Sequence, residues 1–134
     1  MPEDPDEIAR RIVDATNRAD AEAFVALLTP DVEWQDDLFG TEGTRTYRGR
    51  AQVREWLARV WEPWKALDMR PTEIERAPDG RIVFGFELTA SGKESGVETQ
   101  ARFWTVSRLE AGKIKTRRTF RDRADARKAA GLSD

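Results

Sequence analysis

The 134-residue sequence has no cysteine, no histidine and only one tyrosine, Tyr47. Without cysteine there is no disulfide and no thiolate nucleophile, which fits a cytoplasmic home, the expected localisation. Without histidine the commonest general base and the commonest transition-metal ligand are missing. Acid–base work must therefore fall to Asp, Glu, Lys, Arg or Tyr47, and neither a metal nor a cofactor is expected. An excess of one charge is also lacking: 23 Lys and Arg face 25 Asp and Glu, a net charge of −2. No global field draws the chain to nucleic acid or to an anionic membrane. No apolar run approaches transmembrane length, and the acidic start Met1-Pro2-Glu3-Asp4-Pro5 is unlike a signal peptide.

What is present points to one folded domain over residues 1–134. Hydrophobic residues make up 39% of the chain, with 5 Trp and 6 Phe, too rich in aromatics for a disordered polymer. A chain of this length buries roughly 65–70% of the surface its unfolded state exposes. Cations crowd the end, from Lys113, Lys115, Arg117 and Arg118 through Arg121, Arg123, Arg127 and Lys128. A phosphate-tracking strand would need interleaved aromatics, which are missing there. A solvated strand face and a helix with cations in its last turns account for the run, and nucleic acid is not an expected partner.

Along the chain, Pro5 to about Ala19 reads as a helix with Asp6 and Glu7 in its first turn. Asp20 can cap a second, short helix carrying Phe24, Leu27 and Leu28 inward until Pro30 stops it. Asp31 to Gly40 alternates like a strand, and Thr41 to Arg48 reads as a polar loop. Arg50 to Trp64 holds the strongest helical period: Val53, Trp56, Leu57, Val60, Trp61 and Trp64 form one stripe, with Pro63 in its last turn. Strands follow over Met69–Ala77, Ile82–Leu88 and Val97–Leu109, with Pro78-Asp79-Gly80 and Glu110-Ala111-Gly112 as turns. In the last strand Ile114, Thr116, Arg118 and Phe120 share the side expected to face inward. Arg123 to Ala130 closes the chain as a short helix, with Gly131 at its C-terminal cap. Helices first, then mostly antiparallel strands, describe an α+β domain.

One residue stands out of character. Asp36 shares a strand face with Val32 and Trp34, where a core side chain belongs. It is a pocket carboxylate with a task, a polar anchor or ion-pair partner, or an incidental carboxylate at the rim. Arg118, expected on the pocket side of the last strand, is its natural counterpart. Were the two to meet, the arginine would lower the Asp36 pKa and weaken it as a base. Apart, aromatic surroundings would raise that pKa toward general-base use. Trp34, Trp56, Trp61, Trp64, Phe84, Phe86, Phe103 and Phe120 are the candidate cavity wall, and Tyr47 a candidate lid residue from its loop.

The stretch Asp31-Val32-Glu33-Trp34-Gln35-Asp36, Tyr47-Arg48-Gly49-Arg50 before the third helix, Gly112-Lys113-Ile114, and the ending Arg121 to Leu132 together resemble a known family. It is the SnoaL-like branch of the nuclear transport factor two-like superfamily, and the likeness spans nearly the whole chain. The resemblance implies a cone: a strongly curved, mixed or antiparallel sheet, three helices of the N-terminal half over its concave face, and a short C-terminal helix. It also implies a hydrophobic pocket, a small-molecule ligand and a homodimer through the outer sheet face, where Trp104 and Val106 are expected to lie exposed. Against the ketosteroid isomerase pattern, Asp36 falls on the catalytic base. The oxyanion tyrosine has Arg11 and Ile12 in its place, and no acid occurs over Ala101 to Trp104. The polyketide cyclase acid–base aspartate has Arg118-Thr119-Phe120 in its region, and the epoxide hydrolase Asp-Arg-Asp relay fails because Trp104 follows Arg102.

Two functions stay open at this level. One is binding of a hydrophobic, oxygen-bearing molecule, with isomerase, cyclase or lyase chemistry using Asp36 as base and Arg118 as anion stabiliser. The other is a non-catalytic homodimeric binding or partner-interaction module.

Overall fold

The computed structural model describes residues 4–37 and 45–132. The expected strand end over 38–40 and the loop over 41–44 lie outside the described residues. The chain forms α1 (Pro5–Asn17), α2 (Ala21–Val25), β1 (Leu28–Asp36), β2 (Arg45–Arg48), α3 (Gly49–Trp61), β3 (Trp64–Arg76), β4 (Ile82–Gly92), β5 (Glu98–Glu110), β6 (Lys113–Phe120) and α4 (Arg123–Ala129). The six strands form one sheet in the order β2-β1-β6-β5-β4-β3, in which only β1 and β6 run parallel. This is the expected α+β cone.

Local chemistry explains most boundaries. Asp4 caps α1 by accepting from the Asp6 and Glu7 amides, and Pro5 occupies the first turn, where no amide proton is needed. Asp20 and Asp122 cap α2 and α4 in the same way. The β5–β6 hairpin turns on Ala111 and Gly112, both at positive φ, which matches the twist of the flanking strands. Gly131, at φ 79°, ends α4, and the Leu132 amide returns to the Arg127 carbonyl.

The stripes of α1 and α3 and the inner face of the sheet share one core. Leu28, Val32, Val53 and Leu57 are among its most deeply buried members, and Ile8, Ile12, Phe24, Phe84, Phe86 and Phe103 surround them. On the convex face α4 seals a second, smaller cluster of Ala77, Val83, Val106, Ala126 and Ala130. Its helix is tied down by Arg127, whose guanidinium bonds both Glu75 oxygens at 2.8 and 3.0 Å, and by Arg123 on Glu73.

Four expectations need correction. Strand β1 starts at Leu28 and carries Pro30 within it, because the register against β6 breaks between Leu28 and Glu33, where a proline lacking a donor is tolerated. Helix α3 stops at Trp61, and Trp64 opens β3. Tyr47 lies in β2, opposite Trp34, and is buried. Val106 and Trp104 do not form a bare outer patch, since α4 covers Val106 and partly shelters Trp104.

Candidate functional site

The site follows from the register of the sheet. Ile82 lies opposite Ser107, Ser107 opposite Arg117, Arg117 opposite Trp34, and Trp34 opposite Tyr47. This row crosses five strands, with Ser107, Arg117 and Trp34 on the inner face. Arg117, not Arg118, is the inward arginine. A bulge explains the difference. Leu109 pairs with Ile114 but Arg108 pairs with Thr116, so Lys115 is an extra residue and the alternation of β6 reverses after it. Ile114 points in, and beyond the bulge Arg117 and Thr119 do, while Arg118 and Phe120 turn to the convex side. There Arg118 is half-exposed, 3.8 Å from Asp37 and stacked on Phe120.

Beneath the helices is a cavity of about 90 Å³. Of the expected wall, Trp34, Trp56, Trp61, Trp64, Phe84, Phe86 and Phe103 line it, and Phe120 does not. Sequence reasoning placed Phe24 inward without assigning it to the wall, and missed Thr105, Ser107 and Arg117. Alternation along β5 from Phe103 reaches Thr105 and then Ser107 on the same face. Arg117 was hidden by the bulge. The half-buried Val60, Trp61, Trp64, Leu67 and Leu88 form the mouth. Going inward along β4 and β5, the paired layers are Leu88 with Ala101, Phe86 with Phe103, Phe84 with Thr105, and Ile82 with Ser107. The wall is thus apolar at the mouth and polar at depth.

Arg117 is 6% exposed, and its guanidinium lies 4.2 Å from the Trp34 ring centroid and 5.4 Å from that of Trp56. Its Nη1 donates to the Gln35 carbonyl at 3.1 Å. Burial pulls its pKa down to about 9, while the nearby charges of Asp36 and Asp37 act the other way. It therefore stays charged at neutral pH. Among the described residues, no carboxylate comes within ion-pairing distance of it.

Asp36 is 1% exposed and accepts a hydrogen bond from the Trp56 indole Nε1 at 3.2 Å. Its carboxylate is set beside the cavity and is not part of the lining. Trp56 is held on three sides: by this bond, by Trp34 at 5.6 Å and by Tyr47 at 6.2 Å between ring centroids. Tyr47 in turn accepts from Arg59 at 3.2 Å. It buttresses the wall from behind and is not a lid. Among the described residues, no three Asp or Glu side chains gather as metal ligands would, and no helix is long and apolar enough to cross a membrane.

A SnoaL-like domain model matches residues 9–117, which is most of the chain and runs from within α1 to within β6. The chain belongs to the SnoaL-like domain family. Solved structures agree on the fold. One is a hypothetical protein of ketosteroid isomerase-like fold from Catenulispora acidiphila DSM 44928, in complex with trimethylamine. It is 19% identical, with TM-score 0.74, covering 95% of this chain and 94% of that one. An NTF2-like protein of unknown function from Burkholderia pseudomallei K96243 is 23% identical, with TM-score 0.72 and coverages of 91% and 93%. TerC, co-crystallised with polyporic acid, is 20% identical, with TM-score 0.71 and coverages of 93% and 96%. No curated protein matches the SnoaL-like chain.

Proposed function

We propose that this SnoaL-like domain binds a compact hydrophobic molecule bearing an oxygen, and that Arg117 meets that oxygen inside the cavity. The observation behind this reading is a buried guanidinium on an apolar, aromatic-rich wall, with no carboxylate among the described residues within ion-pairing distance. Burying an unpaired charge is costly, and a sequence tolerates it where the charge has a use. Aromatic walls with a few convergent polar groups are the usual make-up of small-molecule sites. Two neighbours of this fold were crystallised with small molecules, trimethylamine and polyporic acid, which supports the same use here.

Size narrows the ligand. A cavity of about 90 Å³ is smaller than the engineered one of about 150 Å³ that admits benzene. That volume favours a single ring, with its far edge at the mouth between Trp61 and Trp64, over a fused polycycle. In this reading Arg117 takes the role the sequence suggested for Arg118.

Asp36 is the remaining candidate for acid–base chemistry. Its bond to Trp56 favours a second reading, binding without turnover, in which Asp36 positions Trp56. The test is fluorescence titration with single-ring compounds, since Trp34, Trp56, Trp61 and Trp64 report on the cavity. Saturable quenching that is abolished by filling the space with Ser107→Phe is expected. Absence of saturable binding by every ring tried would overturn the proposal. Should a substrate emerge, undiminished turnover by Asp36→Asn would remove Asp36 from the chemistry.

A further inference from the structure

The cavity's charge, depth and hydroxyls specify the ligand more narrowly. Resting on the reading above, we infer that the occupant is a compact monoanion, a single-ring or short branched carboxylate, held acid-end first by Arg117 together with Ser107 and Thr105.

Three observations lead there. First, the only charged side chain lining the cavity is a cation, among the described residues. The faces of Trp34 and Trp56, which would otherwise attract an organic cation, already lie against that guanidinium. A second cation would meet repulsion at short range in a site that excludes water, so an ammonium ligand is selected against.

Second, Arg117 is under-used. Its guanidinium has five N–H donors, and one protein acceptor, the Gln35 carbonyl, is present among the described residues. A carboxylate offers two oxygens with the planar geometry that a guanidinium fork matches.

Third, Ser107 is the direct cross-strand partner of Arg117, and Thr105 is two residues away on the same face. They are 1% and 4% exposed, and both line the cavity, so their hydroxyls are available to a group that enters it. Beside a guanidinium, both can donate to oxygens that the guanidinium has drawn in.

The layer order supplies the orientation. The apolar layers Leu88/Ala101 and Phe86/Phe103 come before the hydroxyl layers Phe84/Thr105 and Ile82/Ser107. An acid entering head first therefore places its ring or branched tail against Phe86 and Phe103. Serine and threonine are then specificity residues, distinguishing a charged carboxylate from a neutral isostere of equal shape.

The test uses three probes of similar size, benzoate, benzamide and toluene, titrated calorimetrically into the whole chain at pH 7. Benzoate is expected to bind about tenfold or more tightly than benzamide, as a charge-assisted bond exceeds a neutral one. Arg117→Met should abolish that preference and leave toluene binding intact. Ser107→Ala should weaken benzoate about tenfold or more, the loss of one hydrogen bond to a charged group, with toluene unchanged. If benzoate binds no better than benzamide, or Ser107→Ala leaves benzoate affinity unaltered, the assignment is overturned while toluene binding preserves the cavity as a ligand site. If none of the three binds, the cavity reading itself fails. Retained far-UV and near-UV circular dichroism in each variant separates these outcomes from misfolding.

Discussion

Among single residues, Arg117 and Asp36 set the electrostatics of the core. Arg117 is a base whose folded pKa, about 9, lies well below the ordinary arginine value because of burial. The unfolded chain therefore holds more protons than the folded one between those values, and stability gains with rising pH across that window. By pH 10.5 the gain relative to pH 7 is of order 2 kcal/mol. Urea unfolding as a function of pH should show this rise in the native protein and not in Arg117→Met; parallel profiles would refute it. Asp36 makes the reverse contribution by giving the Trp56 N–H an acceptor at 3.2 Å. Asp36→Ala would leave that donor buried and unpaired, at a cost of about 2 kcal/mol or more. Asp36→Asn keeps an acceptor and should cost clearly less. Equal losses in the two variants would mean that the bond is not what holds Trp56.

Among the elements, β4 and α4 depend on contacts that composition does not suggest. Gly85 in β4 leaves room for the Trp104 indole, which donates to Glu73 at 3.2 Å. A Cβ at Gly85 would sit 2.7 Å from Thr72 Oγ1 and 2.9 Å from both Glu73 Cγ and Trp104 Nε1. Gly85→Ala should therefore destabilise the fold by about 1–3 kcal/mol, the range for overpacking, despite the better strand entropy of alanine. A melting temperature equal to or above that of the parent would contradict this. The Arg127 guanidinium holds the Glu75 carboxyl below its usual value of 4.5. A depressed carboxylate stabilises the fold above its unfolded pKa and loses that contribution as pH falls through the folded one. Undocking of α4 should thus begin below about pH 4.5 and be weakened as a pH effect in Glu75→Gln. Hydrogen exchange over α4 at pH 3.5 and pH 7 measures it.

For the whole molecule, the open issue is assembly. Dimerisation through the convex face remains our proposal, although α4 packs over Val106 and leaves it only 8% exposed. What is left uncovered includes a cleft of about 300 Å³ lined by Arg48, Arg81, Arg108, Arg118 and Phe120. Two copies meeting through this face would bring its arginines together, so screening should favour the contact. Sedimentation at micromolar concentration should give a larger share of twice the chain mass at high salt than at low salt, whereas a monomer at both would reject it.

The sequence by itself determined the α+β class, the Asp20 and Gly131 caps, both tight turns and most of the aromatic wall. Each rests on a local rule: 3.6-residue spacing, alternation, or a side chain bonding its own backbone. Trp56, Trp61 and Phe86 were legible as wall residues for that reason. The tertiary structure alone decided which arginine enters the cavity. Alternation extended from Ile114 selects Arg118, but one residue of bulge at Lys115 exchanges the faces, and no local preference announces a bulge. Tyr47 shows the same limit from the other side, since a polar segment became a strand only because β1 offered it an edge to pair with. Asp36 was recognisable as a carboxylate out of place on a core face, yet Trp56, which donates to it, lies on α3 and is brought to it by helix packing across the sheet. Periodicity says which way a side chain faces along its own element. What it meets there depends on register and packing between elements, which the chain settles only on folding.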